Sequence, residues 1–200
     1  MTDTLVEFEA GDARTDRVVR SLTSAFVEDP AMVHVEPDAS RRPASVARLM
    51  RFELDRVLAL DGVVHADLQG RGAALWTPPP GHQMESGVAA LRTAARFIGV
   101  KRTRLVRALR LYGPVGARHP KDEPHWYLAV LGVDASAQGE GLGQRLITPI
   151  LDRCDEEGLP AYLETMNEAN LAWYARFGFE VTDEVHSGIP AWLLTRRPRG

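Results

Sequence analysis

Apolar positions recur along this 200-residue chain with two periods, about 3.6 and 2, and the switches between them mark out its elements. Leu5-Val6-Glu7-Phe8-Glu9 alternates and predicts a first strand. Gly11-Asp12 breaks it, and Asp12 can cap a helix whose face is Val18, Val19, Leu22 and Phe26. Pro30 ends that helix at or before Asp29, and Met32 to Asp38 reads as a loop or short turn. Val46, Leu49, Met50, Leu54, Val57 and Leu58 stripe a second helix from about Pro43 to Leu60, which Asp61-Gly62 stops. Gly62 to Leu68 and Gly72 to Thr77 form a hairpin about Gln69-Gly70-Arg71-Gly72, closed by Pro78-Pro79-Pro80. Val88, Leu91, Ala95 and Ile98 predict a further helix. Leu105, Leu109 and Tyr112 predict another, ended by Gly113-Pro114.

The second half is more sharply patterned. Trp126 to Val133 is an apolar, β-prone run, followed by a short connector and the glycine ladder Gln138-Gly139-Glu140-Gly141-Leu142-Gly143. Leu142, Leu146 and Ile150 then repeat at steps of four, so a helix begins within the ladder and bends at Pro149. Gly158-Leu159-Pro160 stops it. Ala161 to Thr165 is a strand parallel to Trp126–Val133, Asn170 to Phe177 a short helix, and Phe179-Glu180-Val181 and Ala191 to Thr195 open the last two strands. The order is mixed α/β: a central sheet with flanking helices in a single domain over residues 1–200, with a helical insert at about 81–120 before the central strand.

Strand, glycine loop and helix together present backbone N–H groups to a phosphate. The first turn of a helix has unpaired donors and the positive end of the macrodipole, and glycines admit the anion. The spacing excludes two common nucleotide sites. A G-x-G-x-x-G fingerprint fails from Gly139, where the sixth residue is Gln144, and from Gly141, where it is Leu146; no Gly-Lys-Ser/Thr is present. What stands here is Gln138-x-x-Gly141-x-Gly143. This resembles the pyrophosphate loop of the GNAT N-acetyltransferases, which bind acetyl-CoA.

The resemblance continues downstream. Ala161-Tyr162-Leu163-Glu164-Thr165, then Asn170, then Trp173-Tyr174-Ala175-Arg176-Phe177-Gly178-Phe179 look like that superfamily's second half. Within it the chain resembles puromycin N-acetyltransferase and its actinobacterial relatives, through Ala25-Phe26 with Pro30, Leu75-Trp76-Thr77-Pro78, Glu123 to Leu128 and Gly158 to Phe179. One position departs: Asp29 stands where the puromycin enzymes carry a tyrosine. The resemblance implies that Leu131, Gly132 and Val133 offer backbone groups to the pantetheine arm and that Gln138, Gly139, Glu140, Gly141, Leu142 and Gly143 cradle the pyrophosphate. It also implies that Asn170 faces the cofactor and that Tyr174 protonates the leaving thiolate. Glu164, near the end of a strand beside the cleft, is the first choice as base or water-positioning residue. Asp29, His34, Trp76 and His125 are candidates for the acceptor pocket. The implied reaction moves the acetyl group of acetyl-CoA to a primary amine of a small molecule, an aminonucleoside antibiotic such as puromycin among them. A non-catalytic acyl-CoA sensor or docking module is the alternative.

Composition narrows the setting. Net charge is −3, so nothing general draws the chain to nucleic acid or membranes. The single cysteine, Cys154, leaves no intramolecular disulfide or cysteine metal cluster, and no metal is expected. The polar N-terminus is not a signal sequence and no apolar run reaches membrane-spanning length, so a cytoplasmic protein, able to form a homodimer, is expected. Charge is uneven in the insert: Arg92, Arg96, Lys101, Arg102, Arg104, Arg107 and Arg110 lie in a stretch with no acidic residue from Ser86 to Lys121. A solvated face is the plain reading; the adenosine 3′-phosphate, an acidic partner or nucleic acid are the sharper ones.

Overall fold

Seven strands pair into one mixed sheet among residues 5–9, 11–80 and 102–199, which the computed structural model describes. They are β1 (Leu5–Glu7), β2 (Val63–Asp67), β3 (Gly72–Thr77), β4 (Trp126–Val133), β5 (Ala161–Thr165), β6 (Phe179–His186) and β7 (Pro190–Arg196), in the order β1-β2-β3-β4-β5-β7-β6. Every neighbouring pair is antiparallel except β4 and β5. The helices are α1 (Thr15–Phe26), α2 (Pro30–Val35), α3 (Arg42–Ala59), α4 (Arg102–Ala117), α5 (Leu142–Glu157) and α6 (Leu171–Ala175). The expected helix at Val88–Ile98 lies outside the described residues.

Alternation along the strands assigns the two faces. Ala73 and Leu75 of β3 pack with Val18, Leu22, Val46 and Leu54 of α1 and α3. Ala74 and Trp76 face the other way, onto the α5 stripe Leu142, Leu146, Ile147, Ile150 and Leu151. A smaller cluster joins Val115 of α4 to Tyr162, Val185, Ala191 and Leu193, so α4 covers the β5–β7–β6 half of the sheet. It does so on the face opposite α5, because Ala161 and Leu163, the neighbours of Tyr162, pack on the α5 side.

Two features of β4 shape the middle of the sheet. Leu75 pairs with Val130 but Trp76 pairs with Leu128, so Ala129 is an extra residue, a β-bulge. It reverses the facing: Leu128 packs toward α5, while Val130 packs with α1 and α3. Immediately before the bulge, pairing with β5 ends. Only Trp126–Ala161, Tyr127–Tyr162 and Leu128–Leu163 are in register, and among the described residues Ala129 to Val133 runs on with no strand at its β5 side.

Three expectations are corrected here. Met32 to Asp38 is not simply a loop, for α2 begins at Pro30. The Asp29 carboxylate caps it, accepting the Ala31 N–H at 2.9 Å, and Pro30 fits its first turn, where a missing N–H costs nothing. The residue that stops α1 therefore starts α2. Gly113-Pro114 does not end α4, which runs on to Ala117 with Leu111 and Val115 fully buried on either side of the proline. The helix expected at Asn170–Phe177 begins as a 3₁₀ turn, Glu168–Asn170, and is α-helical only over Leu171–Ala175. At Pro149 the outcome is continuity, since α5 extends to Glu157 and ends at Gly158 in the left-handed conformation, φ 66°.

Gly62, between α3 and β2, gives the first test. A methyl group there would lie 2.5 Å from Val57 Cγ1 and 2.6 Å from the carbonyl oxygens of Val57 and Trp76, two of them rigid backbone atoms. Gly62→Ala is expected to destabilise by about 1–3 kcal/mol, read as a lower denaturation midpoint at unchanged slope. An unchanged midpoint would show that the α3–β2 junction is not held this closely.

Candidate active site

The loop after β4 is built to expose backbone. Asp134 closes its first turn, accepting the Ser136 N–H at 2.9 Å and hydroxyl at 2.6 Å. Gly139 and Gly141 take φ of 84° and 75°, conformations that side chains oppose, and Gly141 is the residue from which α5 starts. No side chain caps that helix, so its first N–H groups, from Leu142 and Gly143 onward, are offered outward. Gly143 is needed for closeness, since a Cβ there would sit 3.3 Å from the Trp173 indole. Gln138 braces the loop by donating to the Val133 carbonyl at 3.2 Å. Glu140 draws two cations to it: Arg71 at 3.3 Å from its carboxylate and Arg145, which donates to its carbonyl at 2.9 Å. Leu131, Gly132 and Val133 lie on the part of β4 beyond its pairing with β5. Gly132 lets α1 press on this strand, as a Cβ would fall 2.7 Å from Leu22 Cδ2.

Glu164 stands on the opposite face, at the centre of a hydrogen-bonded cluster. It shares its face with Tyr162, two residues earlier on β5, and Tyr127 lies alongside Tyr162 in register. The Tyr127 hydroxyl donates to Oε2 and the Tyr162 hydroxyl to Oε1, each at 3.0 Å. His119, two residues beyond α4, places Nδ1 3.3 Å from Oε1 and Nε2 3.0 Å from His125 Nε2. His125 Nδ1 is 2.8 Å from the Glu123 carbonyl. Burial, followed by the charge of Glu164, drives the Tyr127 and Tyr162 phenols well above their ordinary range, so both remain donors.

Hydrogen-bond direction fixes the protons along this line. The Glu123 carbonyl can only accept, so His125 Nδ1 carries hydrogen. Desolvation holds His125 below the ordinary imidazole range, which leaves its Nε2 as a lone pair. His119 Nε2 therefore donates to it. His119 Nδ1 then faces Glu164 Oε1, and that contact is a hydrogen bond only when one proton lies between them. With the proton the line is complete; without it two lone pairs are opposed. Among the described residues no group of three or more His, Cys, Asp or Glu is arranged to hold a metal ion.

Tyr174 is on the α5 side of the sheet, 8% exposed, packed edge-on against Trp173 and Phe179. Burial, and after it the charge of Asp29, pushes its phenol well above the usual value, so it too is held protonated. Asn170 is half-buried and donates to Thr165 Oγ1 at 3.4 Å. Cys154 is a buried core thiol, pushed up to about 12 chiefly by desolvation.

The acceptor candidates separate. Asp29 caps α2 and is raised by burial, against the pull of the Ala31 and Met32 N–H groups. His34 lines a cavity with Arg107 and Arg110. His125 is 2% exposed and is linked to Glu164 through His119, so it is a partner of that carboxylate rather than a pocket wall. Trp76 is a correction: it is fully buried on the α5 face, its Nε1 has no partner among the described residues, and it presents no surface to an acceptor. Sequence reading missed His119, Tyr127 and Tyr162. The Tyr162-x-Glu164 alternation was a usable signal for one of them; the return of the chain from α4 to Glu164 was not encoded in any local spacing.

Comparison with known proteins bears on the fold and the family. An uncharacterized N-acetyltransferase of Schizosaccharomyces pombe is 27% identical over 196 residues, covering 91% of this chain and 79% of that protein. The crystal structure of histone acetyltransferase HPA2 and related acetyltransferase from Corynebacterium glutamicum superposes with a TM-score of 0.66 at 23% identity, over 98% of both chains. Arylalkylamine N-acetyltransferase 2 from Aedes aegypti gives 0.62 at 13% identity, over 98% of this chain and 100% of that one. Residues 76–179, which carry β4, the glycine loop, α5, Glu164 and Tyr174, match the acetyltransferase (GNAT) family, and the chain belongs to it.

Proposed function

We propose that this acetyltransferase uses acetyl-CoA to acetylate a primary amine of a small molecule. The observation that carries the reading is the parting of β4 from β5, with the glycine loop at its open end, Glu164 on one face and Tyr174 on the other. The positive-φ glycines and the uncapped α5 N-terminus suit a pyrophosphate. The free edge of β4, Leu131 to Val133, suits a ligand that pairs like an added strand. Bound acetyl-CoA supplies an activated thioester. Glu164, with the line His119–His125 behind it, takes the proton of the incoming ammonium, because the line gains a hydrogen bond when it is loaded. Tyr174 holds a proton for the departing thiolate on the other side, so acid and base do not exchange protons directly. An aminonucleoside such as puromycin is one acceptor of this class; Asp29, capping α2, gives it no specific support.

Several measurements follow. Calorimetry is expected to show acetyl-CoA binding, and its absence would remove the proposal; binding without thiol release over a broad amine panel would favour the non-catalytic acyl-CoA module. Glu164→Gln keeps the shape and loses the base, so kcat/KM is expected to fall by about 10²-fold or more, least at high pH, where free amine is plentiful. A uniform loss at all pH values would mean a structural role. Tyr174→Phe is expected to lower single-turnover acetylation by a similar factor, about 10², at unchanged acetyl-CoA affinity. A wild-type rate would assign the thiolate proton to another donor.

The line also affects stability. The folded-state value for His125 lies below the unfolded one, so its contribution is fully present above about pH 6.5 and is lost as pH falls through the lowered value. His125→Asn, which can still donate to the Glu123 carbonyl, is expected to flatten the decline in Tm on acidification. An identical slope would show that His125 is not the group responsible.

A further inference from the structure

We propose that the cavity between α2, α4 and the β6–β7 turn binds an anionic group, carboxylate or phosphate, carried by the acceptor. This rests on the acetyltransferase reading and narrows it to anion-bearing amines. The cavity is open to solvent, has a volume of about 530 Å³ and is lined by His34, Arg107, Arg110, Pro114 and the turn His186-Ser187-Gly188.

The charges on α4 are unevenly satisfied. Arg104 is ion-paired with Glu36, both nearly buried, and Arg118, just past the helix, with Asp183 at 3.1 Å. Between them Arg107 and Arg110 have no acidic partner among the described residues. No carboxylate occurs in the chain from Ser86 to Lys121 to provide a local one. Three residues apart, the two guanidinium groups share one helix face and one cavity. The nearby acids are already engaged: Glu36 with Arg104, Asp183 with Arg118, and Glu184 with His186 at 3.5 Å. Two guanidinium groups with no acidic partner among the described residues, beside the His34 imidazole and the Ser187 residue, match the donors that a carboxylate or phosphate accepts from.

The location joins this cavity to the reaction. β7 runs antiparallel to β5 with Trp192 beside Thr165, so the turn before Pro190 lies at the C-terminal end of β5, just past Glu164. α4 packs on the Glu164 face through Val115 and Tyr162. The rise from Arg110 to Val115 is about 7–8 Å, a span that a small molecule covers. The α5 helix lies on the other face, which assigns the cavity to the acceptor rather than to the phosphates of CoA. The hairpin is held against α2 by Gly188, whose φ is +95° and where a Cβ would fall 2.8 Å from the His34 ring.

The test compares matched amines with and without the anion: tyramine with tyrosine, agmatine with arginine, and ethanolamine with phosphoethanolamine. Arg107 and Arg110 are exposed, so Arg107→Gln, Arg110→Gln and the double variant are expected to fold normally. Wild-type kcat/KM is expected to favour the anionic member of at least one pair by about tenfold or more, with the carboxylate and phosphate pairs identifying the group. The double variant should abolish that preference while the neutral amine and the KM for acetyl-CoA stay unchanged. Equal rates within every pair, a preference for puromycin, which has no anionic group, or an equal drop for both members would overturn the proposal. If no amine is turned over, the acetyltransfer reading has failed separately. Calorimetry with phosphoethanolamine then still decides, since binding by wild type and not by the double variant supports the anion site and no binding overturns it.

Discussion

Among the described residues β4 and β5 are the only parallel neighbours in the sheet, and they hold together for three residue pairs before separating beyond Leu128 and Leu163. The Ala129 bulge sits at the same point, bending β4 and reversing its facing just where it loses its partner. The rest of the site depends on this separation. The free side of β4 has backbone groups to offer, Val133 delivers the chain into the glycine loop, and the two faces of the sheet become two walls of one opening. A sheet paired to its end would bury Leu131 to Val133 against β5 and leave Glu164 and Tyr174 on opposite sides of a closed layer.

That division sorts the protons. On the Glu164 face, buried donors converge on one carboxylate, and the Glu123 carbonyl sets the direction of every bond behind it. Desolvation holds His125 below the ordinary imidazole range and both tyrosines above the ordinary phenol range, and His119 bridges His125 to Glu164. On the other face the Tyr174 phenol is held protonated by burial first and by the charge of Asp29 after it. The carboxylate and the phenol thus differ in burial and in partners, the two things that set a group's proton affinity.

The elements legible in the sequence were those whose signal is local. The strand Trp126–Val133, the loop through Gly143 and the α5 stripe appear where periodicity and glycine spacing placed them. Glu164 was singled out by its place near the end of β5 and Tyr174 by the family resemblance, and the structure sets them on opposite faces of the sheet. What could not be read depended on tertiary approach. Pro30 signals both an end and a beginning, and only the Asp29 cap decides that a helix follows. His119 comes six residues before His125, a spacing with no regular meaning, and acquires one when α4 returns the chain to Glu164. Trp76 was misplaced because a single residue of register on β3 decides between cleft and core. Arg107 and Arg110 looked like part of one basic run until folding paired Arg104 with Glu36 and left them aside.

The opening between β4 and β5 as the cofactor site is tested most directly by amide hydrogen exchange with and without CoA. CoA is expected to slow exchange at Leu131 to Val133 and at Gly139 to Gly143, while the paired strands β2 and β3 show no comparable change. Protection confined to other segments, or none in the glycine loop at saturating CoA, would contradict it.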